Sequence, residues 1–350
     1  MRSAELTPLL DKCLQTGDLT RDEIIFLLSL EDEADIKRLL DTADEVRKAN
    51  IGEGVHIRGL IEFSNFCARE CSYCGIRSEN ENIHRYRMQP QEIVDVALDV
   101  VEKGIQTIVL QSGEDLWYSA EMIANTVWTI KSQADCAVTL CVGERSKKEY
   151  QIMKESGADR YLLRHETANP ELFRAIHPDG DYAHRMQCLL WLKEVGFQVG
   201  AGSMVGIPGQ TIGDMADDVI FVRDIEADMV GIGPFIPHPD TPFGNEPGGA
   251  LGMTLKMVAV TRIATRNAHM PATTAIGSID ELGREKALMA GADVVMPNYT
   301  PLKYRVDYEI YPNKRCITED PALCDGCMRM RITSIGRSVA TGKGHSLKQK

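Results

Sequence analysis

The sequence has no run of about 18 apolar residues, and its first residues, Met1 to Thr7, contain no apolar signal core. It is also short of positive charge, with 39 lysines and arginines against 51 aspartates and glutamates, for a net charge of −12. Nucleic acids and anionic membranes require a basic surface, so this balance argues against both as the main partner. We therefore expect a soluble, cytoplasmic protein, and 350 residues allow one large barrel or two ordinary domains.

Cysteine is frequent, but its distribution is not that of a secreted protein held by disulfides. Six of the ten cysteines fall into two tight clusters, which we interpret as two sets of metal ligands. The other four lie among apolar residues, and we expect them to be small buried side chains: Cys13, Cys136, Cys141 and Cys188.

The first cluster has the spacing C-x3-C-x2-C and consists of Cys67, Cys71 and Cys74. It supplies three thiolates where a [4Fe–4S] cluster usually has four, so one iron would keep an open position for a substrate or cofactor. A structural zinc site is the first alternative, but it needs a fourth ligand and only His84 lies near in the sequence. A bacterial ferredoxin is the second, and its C-x2-C-x2-C-x3-C-P repeat is absent.

This spacing, with Tyr73 just before the last cysteine, resembles the signature of the radical S-adenosylmethionine (SAM) superfamily. The resemblance implies a [4Fe–4S] cluster whose free iron chelates the amino and carboxylate groups of SAM. One electron from such a cluster cleaves SAM into methionine and a 5′-deoxyadenosyl radical.

Alternating strand and helix patterns predict an α/β fold, a complete (β/α)8 TIM-type barrel. Apolar, β-branched runs predict eight strands, at 56–63, 106–111, 137–142, 160–165, 197–203, 229–234, 271–276 and 293–296. We expect a helical extension over 1–50, the barrel over 51–312, and a C-terminal segment over 313–350 that ends in a basic, disordered tail. An open doubly wound sheet is the alternative, although the glycines at 200–206 lack the G-x-G-x-x-G spacing of a dinucleotide site.

Barrel enzymes carry their chemistry at the C-terminal ends of the strands, and polar residues follow two of the predicted strands there. Ser112 and Gly113 form a turn after the second strand, which resembles the GGE motif of radical SAM enzymes with serine in place of the first glycine. Arg160 and Arg164 lie four residues apart in the fourth strand and should point to the same face. Two inward arginines require either an anionic ligand or salt-bridge partners within the barrel.

Longer strings at the strand ends resemble those of the HydE family, the radical SAM maturases of [FeFe]-hydrogenase. They span residues 111–115, 160–170, 200–211 and 231–242, and shorter matches follow at 271–274 and 295–298. The resemblance covers nearly the whole chain after residue 50. It implies that SAM is bound at the top of the barrel by Ser112, Thr139, Glu166 and Arg185.

The same resemblance implies a substrate cavity in the barrel, lined by Arg160, Arg164, Thr273, Thr274, Tyr308 and Tyr311. It implies that the adenosyl radical attacks the sulfur of a cysteine-bound iron precursor, which carries carbonyl and cyanide groups and is made by the partner maturase HydG. The product then passes toward HydF. No residue is singled out as catalytic.

The second cluster of cysteines lies near the C-terminus and consists of Cys316, Cys324 and Cys327. Three thiolates predict a second, surface-lying iron–sulfur cluster, and a zinc site with a fourth ligand from elsewhere is the alternative. The spacing matches an optional second cluster of some HydE proteins, so we assign it no catalytic role.

Three other functions remain as alternatives. Methylornithine synthase shares the barrel and the first cysteine loop but lacks the terminal trio. Biotin synthase needs a further cluster inside the barrel, for which Cys136, Cys141 and Cys188 do not offer an evident ligand set. A non-catalytic iron–sulfur carrier would need no SAM-binding residues.

Overall fold

The computed structural model describes residues 2–317 and 321–348, with side chains described for 5–317 and 326–348. The helices, in chain order, are α1 (Arg2–Gln15), α2 (Arg21–Leu28), α3 (Glu33–Ile51), α4 (Pro90–Glu102), α5 (Ala120–Gln133), α6 (Lys147–Glu155), α7 (Pro170–Ile176), α8 (Tyr182–Val195), α9 (Ile212–Asp224), α10 (Leu251–Thr265), α11 (Thr274–Ile279), α12 (Gly283–Met289), α13 (Leu302–Arg305) and α14 (Pro321–Ser334). The strands are β1 (Gly54–Ile57), β2 (Gly59–Ser64), β3 (Thr107–Ser112), β4 (Ala137–Cys141), β5 (Arg160–Leu162), β6 (Gln198–Val205), β7 (Met229–Pro234), β8 (Val294–Val295) and β9 (Ser338–Val339).

Strands β2 to β7 form one parallel sheet in chain order, as the strand and helix alternation predicts. Parallel neighbours need crossover connections, and helices α4 to α9 provide them. Single parallel bridges extend the pairing beyond β7: residue 229 pairs with 269, 271 with 294, and 298 with 60. These bridges connect the last strand of the sheet back to the first, and the α/β fold is confirmed.

Two predicted strands are different in the structure. The run at 56–63 forms two strands, of which β1 joins a small sheet with β8 and β9 while β2 begins the large sheet. The run at 271–276 supplies only a bridge at Pro271, because the chain turns at Thr273 and begins helix α11. A short apolar, β-branched run fits either element, so its local sequence does not decide between them.

Helix α2 begins at a capping residue, Thr20. The Thr20 hydroxyl accepts a hydrogen bond from the backbone N–H of Glu23 (3.3 Å), and the Glu23 carboxylate accepts one from the N–H of Thr20 (2.7 Å). This reciprocal pair is a capping box, and it fixes the start of α2. Helices α1 to α3 pack against α9 and α10. No helix within the described residues is long and apolar enough to cross a membrane.

The described part of the tail that the sequence predicts to be disordered makes hydrogen bonds with the barrel. After β9 the chain crosses the N-terminal ends of the barrel strands, and we call residues 342–346 the C-terminal strap. The strap's carbonyl groups accept hydrogen bonds from side chains of the barrel. Arg160 donates to the carbonyl oxygens of Lys343 (2.6 Å) and Gly344 (2.8 Å), and Thr107 donates to that of Lys343 (2.8 Å). Gln349 and Lys350 lie outside the described residues.

A histidine under the strap predicts a pH-dependent stability. Burial, together with the neighbouring His269 and Arg58, lowers the pKa of His56 from 6.5 to about 4. The unfolded chain therefore binds a proton near pH 6.5 that the folded chain takes up only near pH 4. We expect the folding free energy that comes from a neutral His56 to be complete above pH 6.5 and to be lost as the pH falls toward 4.

Urea unfolding at a series of pH values tests this expectation. His56→Gln should flatten the fall in the free energy of unfolding across that range. His84→Gln is the matched control, because the His84 side chain is 77% exposed and should leave the slope unchanged. Equal slopes in the two variants would contradict the prediction.

Candidate functional site

The first three cysteines lie in a loop that follows β2 at the C-terminal end of the sheet, as predicted. Backbone hydrogen bonds fix this loop to three separate parts of the chain. The N–H of Ala68 donates to the carbonyl of Glu114 (2.9 Å), that of Ser72 to Ile176 (2.9 Å), and that of Gly75 to Ile310 (2.9 Å). The positions of Cys67, Cys71 and Cys74 are therefore set by tertiary contacts on both sides of the barrel mouth.

Glycine is required where the turn after β3 meets the cysteine loop. A Cβ atom on Gly113 would lie 2.2 Å from the carbonyl oxygen of Phe66 and 2.8 Å from the Cβ of Cys67. Any larger residue would push the two loops apart. The close approach lets the N–H of Glu114 reach the Cys67 sulfur at 3.3 Å.

The three thiols fit an iron–sulfur cluster better than they fit a solvent-exposed role. Burial raises the pKa of Cys67, and it raises that of Cys74 to about 12. Thiols kept neutral by burial become thiolates on binding iron, because a coordinating thiol is deprotonated. The N–H groups of Arg69 and Glu114 already point at the Cys67 sulfur and would stabilise its charge.

Among the side chains that the structure describes, no three His, Cys, Asp or Glu groups converge on a single-ion site. Three of the four scattered cysteines are fully buried, as expected: Cys13, Cys136 and Cys188. Cys141 is only partly buried, at the end of β4.

Glu166 occupies a strained position at the end of the fifth strand region. Its φ of 66° lies in the left-handed region, which glutamate rarely adopts. Hydrogen bonds hold it there, from its N–H to the carbonyl of Gly202 (2.9 Å) and from the N–H of Met204 to its carbonyl (3.1 Å). Strain of this kind is typical of functional positions. The Glu166 Oε2 is buried and lies 3.2 Å from Arg164 Nη2.

Thr139 and Ser112 lie on neighbouring strands of the same sheet. The Thr139 hydroxyl on β4 is buried and has no hydrogen-bond partner among the described residues. Such a group costs folding free energy, which is recovered when a ligand bonds to it. The Ser112 hydroxyl, at the end of β3, donates to the carbonyl of Gly113 (2.7 Å).

Arg185 is held by a buried carboxylate that the sequence analysis missed. Its Nε donates to Glu144 Oε1 (2.5 Å), and its Nη1 donates to the carbonyl of Arg164 (2.7 Å). Glu144 also contacts Arg69 (2.8 Å), whose guanidinium reaches Glu114 (2.7 Å). These four charged groups, the Arg69–Arg185 network, connect the cysteine loop to α8. Only the position of Glu144 just after β4, a strand end, could have indicated it.

Five of the six residues expected around a substrate lie near the C-terminal ends of the strands or in the segments that follow. Arg164 donates to the Ser203 carbonyl (2.7 Å), and its Nε has no partner among the described residues. Tyr308 accepts from Gln111 (3.3 Å). Thr273 donates to the Ile232 carbonyl (3.2 Å).

Arg284 joins this group and was missed by the sequence analysis. Its Nη2 lies 3.5 Å from the hydroxyl of Thr274. Burial and the Glu62 carboxylate raise the pKa of Tyr311, whereas the charges of Arg284 and Arg164 act against that rise. Positive charge from both arginines therefore reaches the Tyr311 hydroxyl.

Arg160 does not share the surroundings of Arg164, contrary to expectation. Four residues of extended chain separate the two by about 13 Å along the strand axis. Arg160 lies at the N-terminal end of β5 and donates to Gln198 (3.1 Å) and to the strap carbonyls. These neutral protein acceptors, and not an anionic ligand, satisfy its guanidinium.

The second set of cysteines is only partly described. Cys316 has a φ of 64°, and Arg284 Nη1 lies 3.9 Å from its sulfur. Cys327 is exposed on α14. The side chain of Cys324 lies outside the described residues. The second cluster therefore stays a prediction.

Comparison with known proteins agrees with this geometry. The model of the radical SAM superfamily matches residues 61–222, which contain the first three cysteines and every residue predicted to bind SAM. Fold and site together define a radical SAM enzyme, a class that implies a [4Fe–4S] cluster and SAM. The chain is 51% identical over 324 residues to the [FeFe] hydrogenase maturase subunit HydE of Thermotoga maritima, covering 93% of each chain. It belongs to the HydE family.

More distant relatives carry the alternative function. The 3-methylornithine synthase of Methanosarcina acetivorans is 26% identical over 314 residues, which are 88% of this chain and 89% of that protein. A crystal structure of methylornithine synthase superimposes with a TM-score of 0.82 at 24% identity, covering 95% of this chain and 97% of that one. This second likeness shows the fold alone.

Proposed function

We propose that this protein cleaves SAM reductively and directs the 5′-deoxyadenosyl radical to a cysteine-bound organometallic iron precursor during assembly of the [FeFe]-hydrogenase active site. The observation that carries the proposal is the Arg69–Arg185 network, which joins the cysteine loop to the residues assigned to SAM. Cys67, Cys71 and Cys74 would hold the cluster, which would supply the electron and an iron with an open position. The chain's own residues bind and orient the two reactants.

The SAM assignments rest on side chains from β3, β4, the segment after β5 and helix α8. Glu166, held in its strained conformation, is proposed to accept from the ribose hydroxyls. Arg185 is proposed to bind the SAM carboxylate, with Glu144 fixing its orientation. The unpaired hydroxyl of Thr139 and the turn at Ser112 supply the remaining polar contacts.

The substrate assignments rest on positive charge. Arg164, with its Nε unpartnered among the described residues, and Arg284 are proposed to bind the anionic groups of the precursor. The hydroxyls of Thr273, Thr274, Tyr308 and Tyr311 would line the same cavity. Arg160 is left out, because the strap occupies its donors. HydG is the proposed source of the precursor and HydF the proposed acceptor of the product.

The decisive test supplies the alternative substrates side by side. The reconstituted, reduced protein is incubated with SAM and either an iron–cysteine complex carrying carbonyl and cyanide, or lysine, under strict exclusion of oxygen. An adenosylated cysteine product detected by mass spectrometry would support the proposal. Methylornithine formed from lysine would replace it with the mutase function, and SAM that stays intact with both substrates would refute both.

Thr139 offers a test of the SAM site that separates binding from folding. Thr139→Val removes a hydroxyl with no protein partner among the described residues and keeps the shape of the side chain. We expect SAM to bind about fivefold more weakly, since one lost hydrogen bond to a ligand is worth about 1 kcal/mol. The free energy of unfolding should stay equal or rise. A lower free energy of unfolding with unchanged SAM affinity, measured by calorimetry, would contradict the assignment.

A further inference from the structure

A histidine outside the cysteine motif contacts the cysteine loop directly. His177 Nδ1 lies 3.2 Å from the sulfur of Cys71. The residue caps the C-terminal end of α7 and is only 4% exposed. No role in binding SAM or substrate has been given to it above.

The ring of His177 cannot turn away from this contact without disturbing its neighbours. It packs on Phe173, with ring centroids 4.8 Å apart, and makes an edge-on contact with Tyr73 at 5.8 Å. Its backbone N–H donates to the carbonyl of Phe173 (2.8 Å), which fixes the main chain at the same point.

The turn that carries His177 is also bonded to the cysteine loop by three hydrogen bonds. Ser72 donates from its N–H to the carbonyl of Ile176 (2.9 Å) and from its hydroxyl to that of Ala175 (2.9 Å). The N–H of Glu70 donates to Asp179 (3.2 Å). The distance between His177 and Cys71 is therefore set by these three hydrogen bonds, which flank both residues.

The position of the proton on the ring follows from the surroundings of the other nitrogen. The Nε2 of His177 is buried and has no partner among the described residues. A neutral imidazole carries one N–H, and a metal-bound thiolate can only accept. A proton on Nε2 would leave a buried donor unpaired and two acceptors facing each other at Nδ1. A proton on Nδ1 avoids both, and an unpaired acceptor is the smaller cost.

We propose that His177 donates its Nδ1 hydrogen to the Cys71 thiolate and thereby raises the reduction potential of the cluster. Hydrogen bonds to the sulfur ligands tune that potential, because they withdraw charge from the thiolate and favour the reduced state. His177 acts through Cys71 and is therefore a positioning residue. The inference rests on the cluster of the proposed function but not on the identity of the substrate.

The test compares two substitutions in the reconstituted protein by redox titration followed by electron paramagnetic resonance. His177→Phe keeps the ring packing and removes the donor, and the equilibrium constant for reduction should fall about tenfold, which is ~59 mV for one electron. His177→Asn places an amide N–H where Nδ1 was and should stay close to the unsubstituted protein. His84→Phe is the control, since His84 is exposed and contacts Asp307 (3.0 Å).

Each outcome supports or overturns the proposed hydrogen bond from His177 to Cys71. An unchanged potential in His177→Phe, with full iron content, would overturn the proposal. Loss of iron from both His177 variants would assign the residue a structural role and overturn it as well. Iron retained only by His177→Asn would support the hydrogen bond, because that variant keeps the donor. A wrong substrate assignment would leave the potentials unaffected, so the two proposals fail separately.

Discussion

The variant Cys71→Ala is expected to lose both the [4Fe–4S] cluster and SAM cleavage. With one of three thiolates removed, two ligands remain for a cluster that already has an open iron. Cys71 is also the cysteine that His177 contacts, so the variant removes the acceptor of that hydrogen bond. Iron and sulfide content, the absorbance of the reconstituted protein and the yield of 5′-deoxyadenosine measure the effect.

The matched control is Cys136→Ala. Cys136 is fully buried at the start of the fourth strand region and far in sequence from the cysteine loop. Its loss should cost about 1 kcal/mol of stability, as for a small buried group, and leave iron content and SAM cleavage intact. A Cys71→Ala protein that kept its cluster would contradict the ligand assignment. Parallel loss in the control would point to general misfolding.

Deleting residues 342–350 should lower the free energy of unfolding by about 3 kcal/mol. The strap accepts hydrogen bonds from Arg160, which is fully buried, and from Arg58, whose Nη2 lies 3.3 Å from the Gly344 carbonyl. Removing the neutral acceptor of a buried charged donor costs about 1.5–3 kcal/mol for each of the two guanidinium groups. The lower value applies, since water can reach the uncovered guanidinium groups. Urea unfolding of the full and shortened chains measures the difference.

A double-mutant cycle separates this effect from a general loss of packing. Arg160→Met should destabilise the full-length chain but have a smaller effect on the shortened one, because the charge it removes then has no strap carbonyls to bind. Additive effects of the two changes would show that Arg160 and the strap are independent. Equal unfolding midpoints for the full and shortened chains would refute the prediction outright.

The sequence correctly predicted the features that are determined by the spacing of nearby residues. The position of the cysteine loop after β2 and the alternation of strands and helices each depend on residues close together in the chain. The period of the apolar residues alone predicted the parallel sheet from β2 to β7.

The features that the sequence missed depend on contacts between distant segments. Arg160 and Arg164 share a strand and a residue type, and only the tertiary structure separates their partners. Glu144 and His177 belong to no motif, and their roles come from the carboxylate's contact with Arg185 and the ring's contact with Cys71. The local sequence around an isolated polar residue does not show which distant residue it will contact.

The hydrogen bonds of the C-terminal strap limit how its length and its residues can vary among related proteins. Its shortest contacts with Arg160 use the main-chain oxygens of Lys343 and Gly344, which almost any amino acid supplies, so they constrain the number of residues more than the type of residue. Gly344 is the exception, because its φ is 53° and a Cβ atom would lie 2.7 Å from His56 Nδ1. The side chains of His345 and Ser346 also bond to the barrel, to Gln198 and Asp228. Selection at this end of the barrel should therefore act on loop length, on one glycine and on these two side chains, and an alignment would show the first as an absence of gaps.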